Sequence, residues 1–126
     1  MLINDADAIA ELTEIYPTYE QALLTNDIAA MMRLFWSSPH VIRFGATENL
    51  HGIEEIAAFR AARTATNLAR KITRLDITSF GSNAACINLE FERDAEGKIV
   101  RGRQSQTWIR MPEGWRIVSA HVSLLP

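Results

Sequence analysis

The sequence predicts an α+β fold: three helices from the first half of the chain packed on one face of a curved antiparallel sheet built by the second half. Three observations carry this. Apolar residues recur every three to four positions as far as Thr66, the period changes to two from Lys71 onward, and no repeated strand–helix–strand alternation links the halves.

At 126 residues the chain fits one domain, residues 1–126, with 48% hydrophobic and 22% charged residues in the ordinary globular range. The formal net charge is −2 and no basic cluster is long enough to track a phosphate backbone, so nucleic acid is not an expected partner. Neither a secretory leader nor a run of about 18 apolar residues is present, which predicts a cytoplasmic protein with no membrane partner. Cys86, the one cysteine, lies in an apolar strand pattern and reads as a small buried hydrophobe.

Residues 5–25 form the first expected helix, with Ile9, Leu12, Tyr16, Tyr19 and Leu23 on one stripe and Glu11, Glu14, Thr18 and Gln21 opposite. Pro17 removes a backbone donor there and should kink or break it, making a bent lid. Thr25 or Asn26 can cap a short second helix that carries Met31, Met32, Leu34 and Phe35 and stops at Ser37-Ser38-Pro39. A short strand at Val41–Phe44 follows. Gly45 and the Asn49–Gly52 stretch then interrupt the chain before a third helix from Ile53 to Thr66, with Glu54 and Glu55 near its positive end.

Four strands are expected near 71–80, 84–93, 100–111 and 115–124. The turns are Gly81-Ser82-Asn83, Asp94–Gly97 and Pro112-Glu113-Gly114, giving an antiparallel meander. Alternation turns Ala85, Ile87, Leu89 and Phe91 toward the helices, and likewise Val118, Ala120, Val122 and Leu124. On the third of these strands the inward set is Gly102, Gln104, Gln106 and Trp108. Two amides on an apolar face need partners, each unsatisfied group costing about 1–3 kcal/mol, which a wet or ligand-filled pocket supplies. The opposite face would carry Ile109, Trp115 and Ile117, apolar enough to suggest a twofold dimer interface.

Arg60 falls between Ile53, Ile56 and Ala57, in the middle of the apolar stripe of the third helix, and Arg63 lies at its edge. A guanidinium aimed at a core is rarely unpaired. Arg60 therefore either meets a buried carboxylate such as Glu20 or Glu48, or binds a substrate carboxylate. Arg43, just before Gly45, could form the other half of such an anion clamp. Tyr19 lies on the buried stripe of the first helix, where its hydroxyl needs a partner. His121 falls on the outer strand face, which argues against a catalytic base. With His40 and His51 in turns, the three histidines lack the spacing of a metal site.

Over essentially the whole chain these residues resemble the small protein family associated with oxalurate catabolism and the related AtzH-like triazine-pathway dicarboxyurea hydrolases. The resemblance rests on Tyr19-Glu20, Thr25-Asn26-Asp27, Leu34-Phe35-Trp36, Arg43-Phe44-Gly45 with Glu48-Asn49-Leu50, and Phe59-Arg60-Ala61-Ala62-Arg63. Its C-terminal signature is Gly102-Arg103-Gln104-Ser105-Gln106-Thr107-Trp108, then Gly114-Trp115-Arg116-Ile117-Val118, then Ala120-His121-Val122-Ser123-Leu124. The resemblance implies a SnoaL-like, cone-shaped half-barrel and decarboxylating hydrolysis of 1,3-dicarboxyurea to allophanate, with no metal or organic cofactor.

On that basis Arg43 and Arg60 are expected to hold the two carboxylates of a small planar dianion. Tyr19 would assist proton transfer as the N–C bond breaks, and Gln106 and Trp108 would fix the substrate plane. Tyr19 and Arg43 are thus the expected catalytic residues, and Arg60, Gln106 and Trp108 the expected substrate-binding ones. The same pocket could instead serve an oxalurate-related ureide acid, or the protein could be a noncatalytic partner of an amidase.

Overall fold

The computed structural model describes residues 1–64 and 68–126. The first helix, α1 (Ala6–Leu24), starts where the Asp5 side chain accepts a hydrogen bond from the Ala8 N–H at 3.1 Å. It runs unbroken through Pro17 and buries Leu12, Tyr16, Tyr19 and Leu23 as its stripe requires. The next helix, α2 (Ile28–Leu34), is capped by Asp27, which accepts from the Ala30 N–H. Neither Thr25 nor Asn26 takes that place, because Thr25 closes α1 and Asn26 adopts the left-handed conformation (φ 53°) that reverses the chain between the helices.

Two three-residue strands follow, β1 (Ile42–Phe44) and β2 (Asn49–His51), then α3 (Ile53–Ala62). The stretch expected to be an interruption is therefore a strand from Asn49 to His51, paired antiparallel with β1. The third helix ends four residues before Thr66; Arg63 is already extended, and residues 65 and 66 lie outside the described residues. The remaining strands are β3 (Lys71–Ser79), β4 (Ala84–Ala95), β5 (Lys98–Met111) and β6 (Gly114–Leu124). Expected to start at Val100, β5 begins two residues earlier because Glu96 and Gly97 close a two-residue hairpin, both at positive φ.

The sheet is curved and unclosed, with strand order β2-β1-β6-β5-β4-β3. It is antiparallel except where β1 lies parallel to β6, pairing Arg43 with Ala120. That exception corrects the purely antiparallel expectation, and it brings Arg43 beside the C-terminal strand. Inward alternation holds along β4 and β5, where Ala85, Ile87, Leu89, Phe91, Gln104, Gln106 and Trp108 are all buried.

Along β6 the expected alternation holds for Ala120, Val122 and Leu124, which line the inner face, and fails from Val118 back toward Trp115. Thr107 pairs with Ser119 but Trp108 with Ile117, so Val118 is an extra residue in a bulge. The bulge returns Ile117 and Trp115 to the helical side. Both are buried, and the Trp115 indole N–H donates to Glu11 of α1 at 2.8 Å. The apolar outer patch assembled from Ile109, Trp115 and Ile117 thus reduces to a half-buried Ile109. Cys86, expected inside, is half-buried on the outer face opposite Thr78 and Thr107.

One glycine shapes the inner face. A Cβ on Gly102 would fall 2.2 Å from Phe91 Cζ, so the absence of a side chain lets the Phe91 ring lie across β5. The Arg70 guanidinium stacks on that ring at 4.6 Å. Gly102→Ala should therefore lower stability by about 1–3 kcal/mol through overpacking of a core that cannot yield, read as a lower Tm by circular dichroism.

Candidate functional site

A cavity of about 280 Å³ opens between α1, α3 and the β1–β6–β5–β4 part of the sheet. Its floor follows from the strand register. Ile87, Gln106, Ala120 and Arg43 form one inward row across four strands, and Leu89, Gln104 and Val122 form the next. The small Ala120 between Gln106 and Arg43 leaves the space. Tyr19 and Leu23 of α1 and Phe59 and Arg60 of α3 close the opposite side, with Ala46, Thr47 and Glu48 from the β1–β2 turn.

Five arginines line this cavity: Arg43, Arg60, Arg63, Arg70 and Arg93. Two have carboxylate partners. Arg70 donates from Nε and Nη2 to the two oxygens of Glu20, both at 2.8 Å, and from Nη2 to Gln104 Oε1 at 2.9 Å. Tyr16 completes this ring, giving its proton to Glu20 and accepting from Gln104 Nε2. Burial, then the Glu20 charge, pushes the Tyr16 phenol well above its usual value, so it stays neutral. The ring is a rigid wall of satisfied polar groups.

Arg43 donates from Nη1 to Glu48 Oε1 at 2.7 Å and lies over the Phe59 ring. Glu48 Oε2 accepts from the Thr47 N–H and hydroxyl. Burial raises the Glu48 carboxyl, but the Thr47 and Arg43 hydrogen bonds and the Arg43 charge outweigh it and hold the group below the ordinary carboxylate value. Glu48 is ionised at neutral pH.

The remaining three cations lack such compensation. Arg60 is 1% exposed; its Nη2 donates to the Tyr19 hydroxyl at 3.0 Å, while Nε and Nη1 are closed off without a partner among the described residues. Neither Glu20 nor Glu48 is its hydrogen-bond partner, since Arg70 and Arg43 take them. Burial first, then the charges of Arg43 and Arg63, lowers the Arg60 pKa, and burial with Arg43 does the same to Arg63. No carboxylate pairs with the guanidinium of Arg63 or Arg93 among the described residues.

Tyr19, Arg43, Arg60 and Gln106 are therefore brought to one cavity. Trp108 is not; it lies fully buried behind the floor, and its indole N–H donates to Gln106 Oε1 at 3.0 Å. That bond orients the Gln106 amide and leaves Nε2 as its unengaged end. His121 sits on the outer face against the Phe44 ring. Among the described residues, no three His, Cys, Asp or Glu side chains converge as a metal site. Arg70 and Arg93 are the cavity cations the sequence reading missed. Arg93 was within reach, since it extends the inward series Ala85, Ile87, Leu89, Phe91 by one step. Arg70 precedes a strand and meets Glu20 fifty positions away, which no local pattern reports.

Helices over one face of an open curved sheet, with a pocket between the two layers, place the protein among the NTF2-like, cystatin-fold proteins. The chain belongs to the AtzH-like family, whose model matches residues 1–126. It is similar to a protein of unknown function of the DUF3225 family from Pectobacterium atrosepticum, at 48% identity over 98% of this chain and 95% of that one, with a TM-score of 0.93. It is also similar to a cystatin-like fold protein from Burkholderia xenovorans (41% identity, 100% and 99% covered, TM-score 0.90). An NTF2-like superfamily protein from Salmonella enterica shares 26% identity over 96% of this chain and 93% of that one, with a TM-score of 0.79. No curated protein matches the chain. No helix among the described residues is long and apolar enough to cross a membrane.

Proposed function

We propose that the protein is a cofactor-independent decarboxylating hydrolase acting on a small planar dianion, 1,3-dicarboxyurea, to give allophanate. The observation that carries this reading is the charge of the cavity. Arg43 and Arg70 pair with Glu48 and Glu20, whereas Arg60, Arg63 and Arg93 have no carboxylate hydrogen-bonded to them among the described residues, in a space of about 280 Å³. A dianion answers two of these three charges, and each charge-assisted hydrogen bond to it contributes about 1.5–3 kcal/mol.

One carboxylate sits against Arg43, the other toward Arg63, and Gln106 Nε2 faces the substrate between them. Tyr19 supplies the proton. Its oxygen accepts from Arg60 Nη2, which leaves its own hydrogen to be given to a substrate in the cavity that Tyr19 lines. The N–C bond to one carboxylate breaks, its electron pair goes to nitrogen, carbon dioxide leaves, and nitrogen takes the proton from Tyr19, which is restored from water. Arg60 acts through Tyr19, fixing the hydroxyl and placing positive charge where the departing proton leaves negative charge. Membership of the AtzH-like family supports the same reading.

An oxalurate-type ureide acid, carrying one carboxylate, would leave more of this positive charge unanswered. Purified wild-type protein should release allophanate from freshly generated 1,3-dicarboxyurea above the spontaneous background. Tight binding of dicarboxylates with no turnover would instead make this a binding protein.

A further inference from the structure

Among the described residues Glu48 is the one carboxylate lining a cavity that also carries five arginines, and the fold makes specific room for it. A Cβ on Gly45 would lie 1.7 Å from Glu48 Oε1 and 2.4 Å from its Cδ. Gly45 does not adopt a left-handed backbone, so its lack of a side chain serves space rather than chain direction. The carboxylate is folded back over Gly45 and pinned by Thr47 and Arg43. A carboxylate has about four lone-pair sites. Two on Oε2 are filled by Thr47 and one on Oε1 by Arg43, leaving one acceptor site on Oε1, beside the Arg43 donors.

We propose that Arg43 and Glu48 together read the edge of a carbamate or amide, Arg43 donating to the carboxylate oxygen and Glu48 accepting the neighbouring N–H. The cavity thereby selects nitrogen-linked dicarboxylates over carbon-linked ones of equal length. This deepens the dicarboxylate reading above and rests on it. The physical basis is asymmetric: a ligand with CH₂ in place of N–H leaves the Glu48 oxygen facing a group that cannot donate, and a site built around a hydrogen bond rejects such a ligand strongly. Glu48 is a specificity residue here, and Gly45 the position that holds it in place.

N-oxalylglycine and 2-oxoglutarate test this, being stable dianions of equal length that differ by N–H against CH₂. Calorimetric titration of the wild-type protein should show N-oxalylglycine binding at least about tenfold more tightly, roughly 1.4 kcal/mol. Glu48→Ala should bring the two ligands to within about threefold, roughly 0.7 kcal/mol. Gly45→Ala should do the same by displacing an intact Glu48, and circular dichroism reports whether each variant is folded. Equal binding of both ligands by the wild type overturns the proposal, as does a preference that survives in folded Glu48→Ala. Failure of both dianions to bind the wild type at millimolar concentration is a different result, since it removes the dicarboxylate reading and this inference with it.

Discussion

Tyr19→Phe should lower kcat for 1,3-dicarboxyurea by about 100-fold or more while leaving KM within a few-fold, because it deletes a proton donor and little else that the substrate touches. The ring keeps its packing against Tyr16 and Phe35. The lost atom is the hydroxyl oxygen, which accepts from Arg60 Nη2 at 3.0 Å. Arg60 then has all three of its nitrogens without a partner among the described residues, at a stability cost of about 1–3 kcal/mol. The comparison therefore belongs well below the Tm of the variant, with circular dichroism establishing that it is folded. A drop in kcat at unchanged KM marks proton transfer. A rise in KM alone reduces Tyr19 to a binding group, and full activity removes it from the mechanism.

The fold was legible wherever the chain obeys one period for long enough. Alternation over β4 and β5 placed Gln104 and Gln106 inside, and the helical wheel placed Arg60 in the core, where it is 1% exposed. Reading broke down at short or displaced elements. A three-residue strand such as β2 has no measurable period, and the bulge at Val118 turns Trp115 and Ile117 over without any mark in residue type. The parallel pairing of β1 with β6 joins residues nearly eighty positions apart.

The site divides in the same way. Burial of a charge can be read from its neighbours along the chain, but its partner cannot. Arg60 was equally compatible with Glu20, Glu48 or a ligand until tertiary packing gave Glu20 to Arg70 and Glu48 to Arg43. Trp108 shows the limit of strand-face logic: it shares the inward face of Gln106, yet it reaches the cavity only through the hydrogen bond that orients that amide.

Replacement of Arg43 by alanine has a second large expected effect, and its size comes from the residue left behind. The guanidinium holds Glu48 Oε1 at 2.7 Å and helps keep that carboxylate ionised. Without it the cavity loses one cation, and the Glu48 carboxylate, no longer hydrogen-bonded by Arg43, faces the place where a substrate carboxylate must settle. We expect kcat/KM to fall by at least 100-fold, about 2.7 kcal/mol of transition-state stabilisation, with most of the loss in KM. Removing Glu48 as well should recover part of it. The Arg43→Ala/Glu48→Ala variant is expected to bind substrate about tenfold better than Arg43→Ala alone, because the repulsion goes with the carboxylate while the missing hydrogen bonds do not return. The cycle thus separates two contributions that a single substitution mixes. Recovery in the double variant assigns the excess loss to Glu48, no recovery assigns all of it to contacts made by Arg43, and an Arg43→Ala protein of wild-type activity excludes Arg43 from the site.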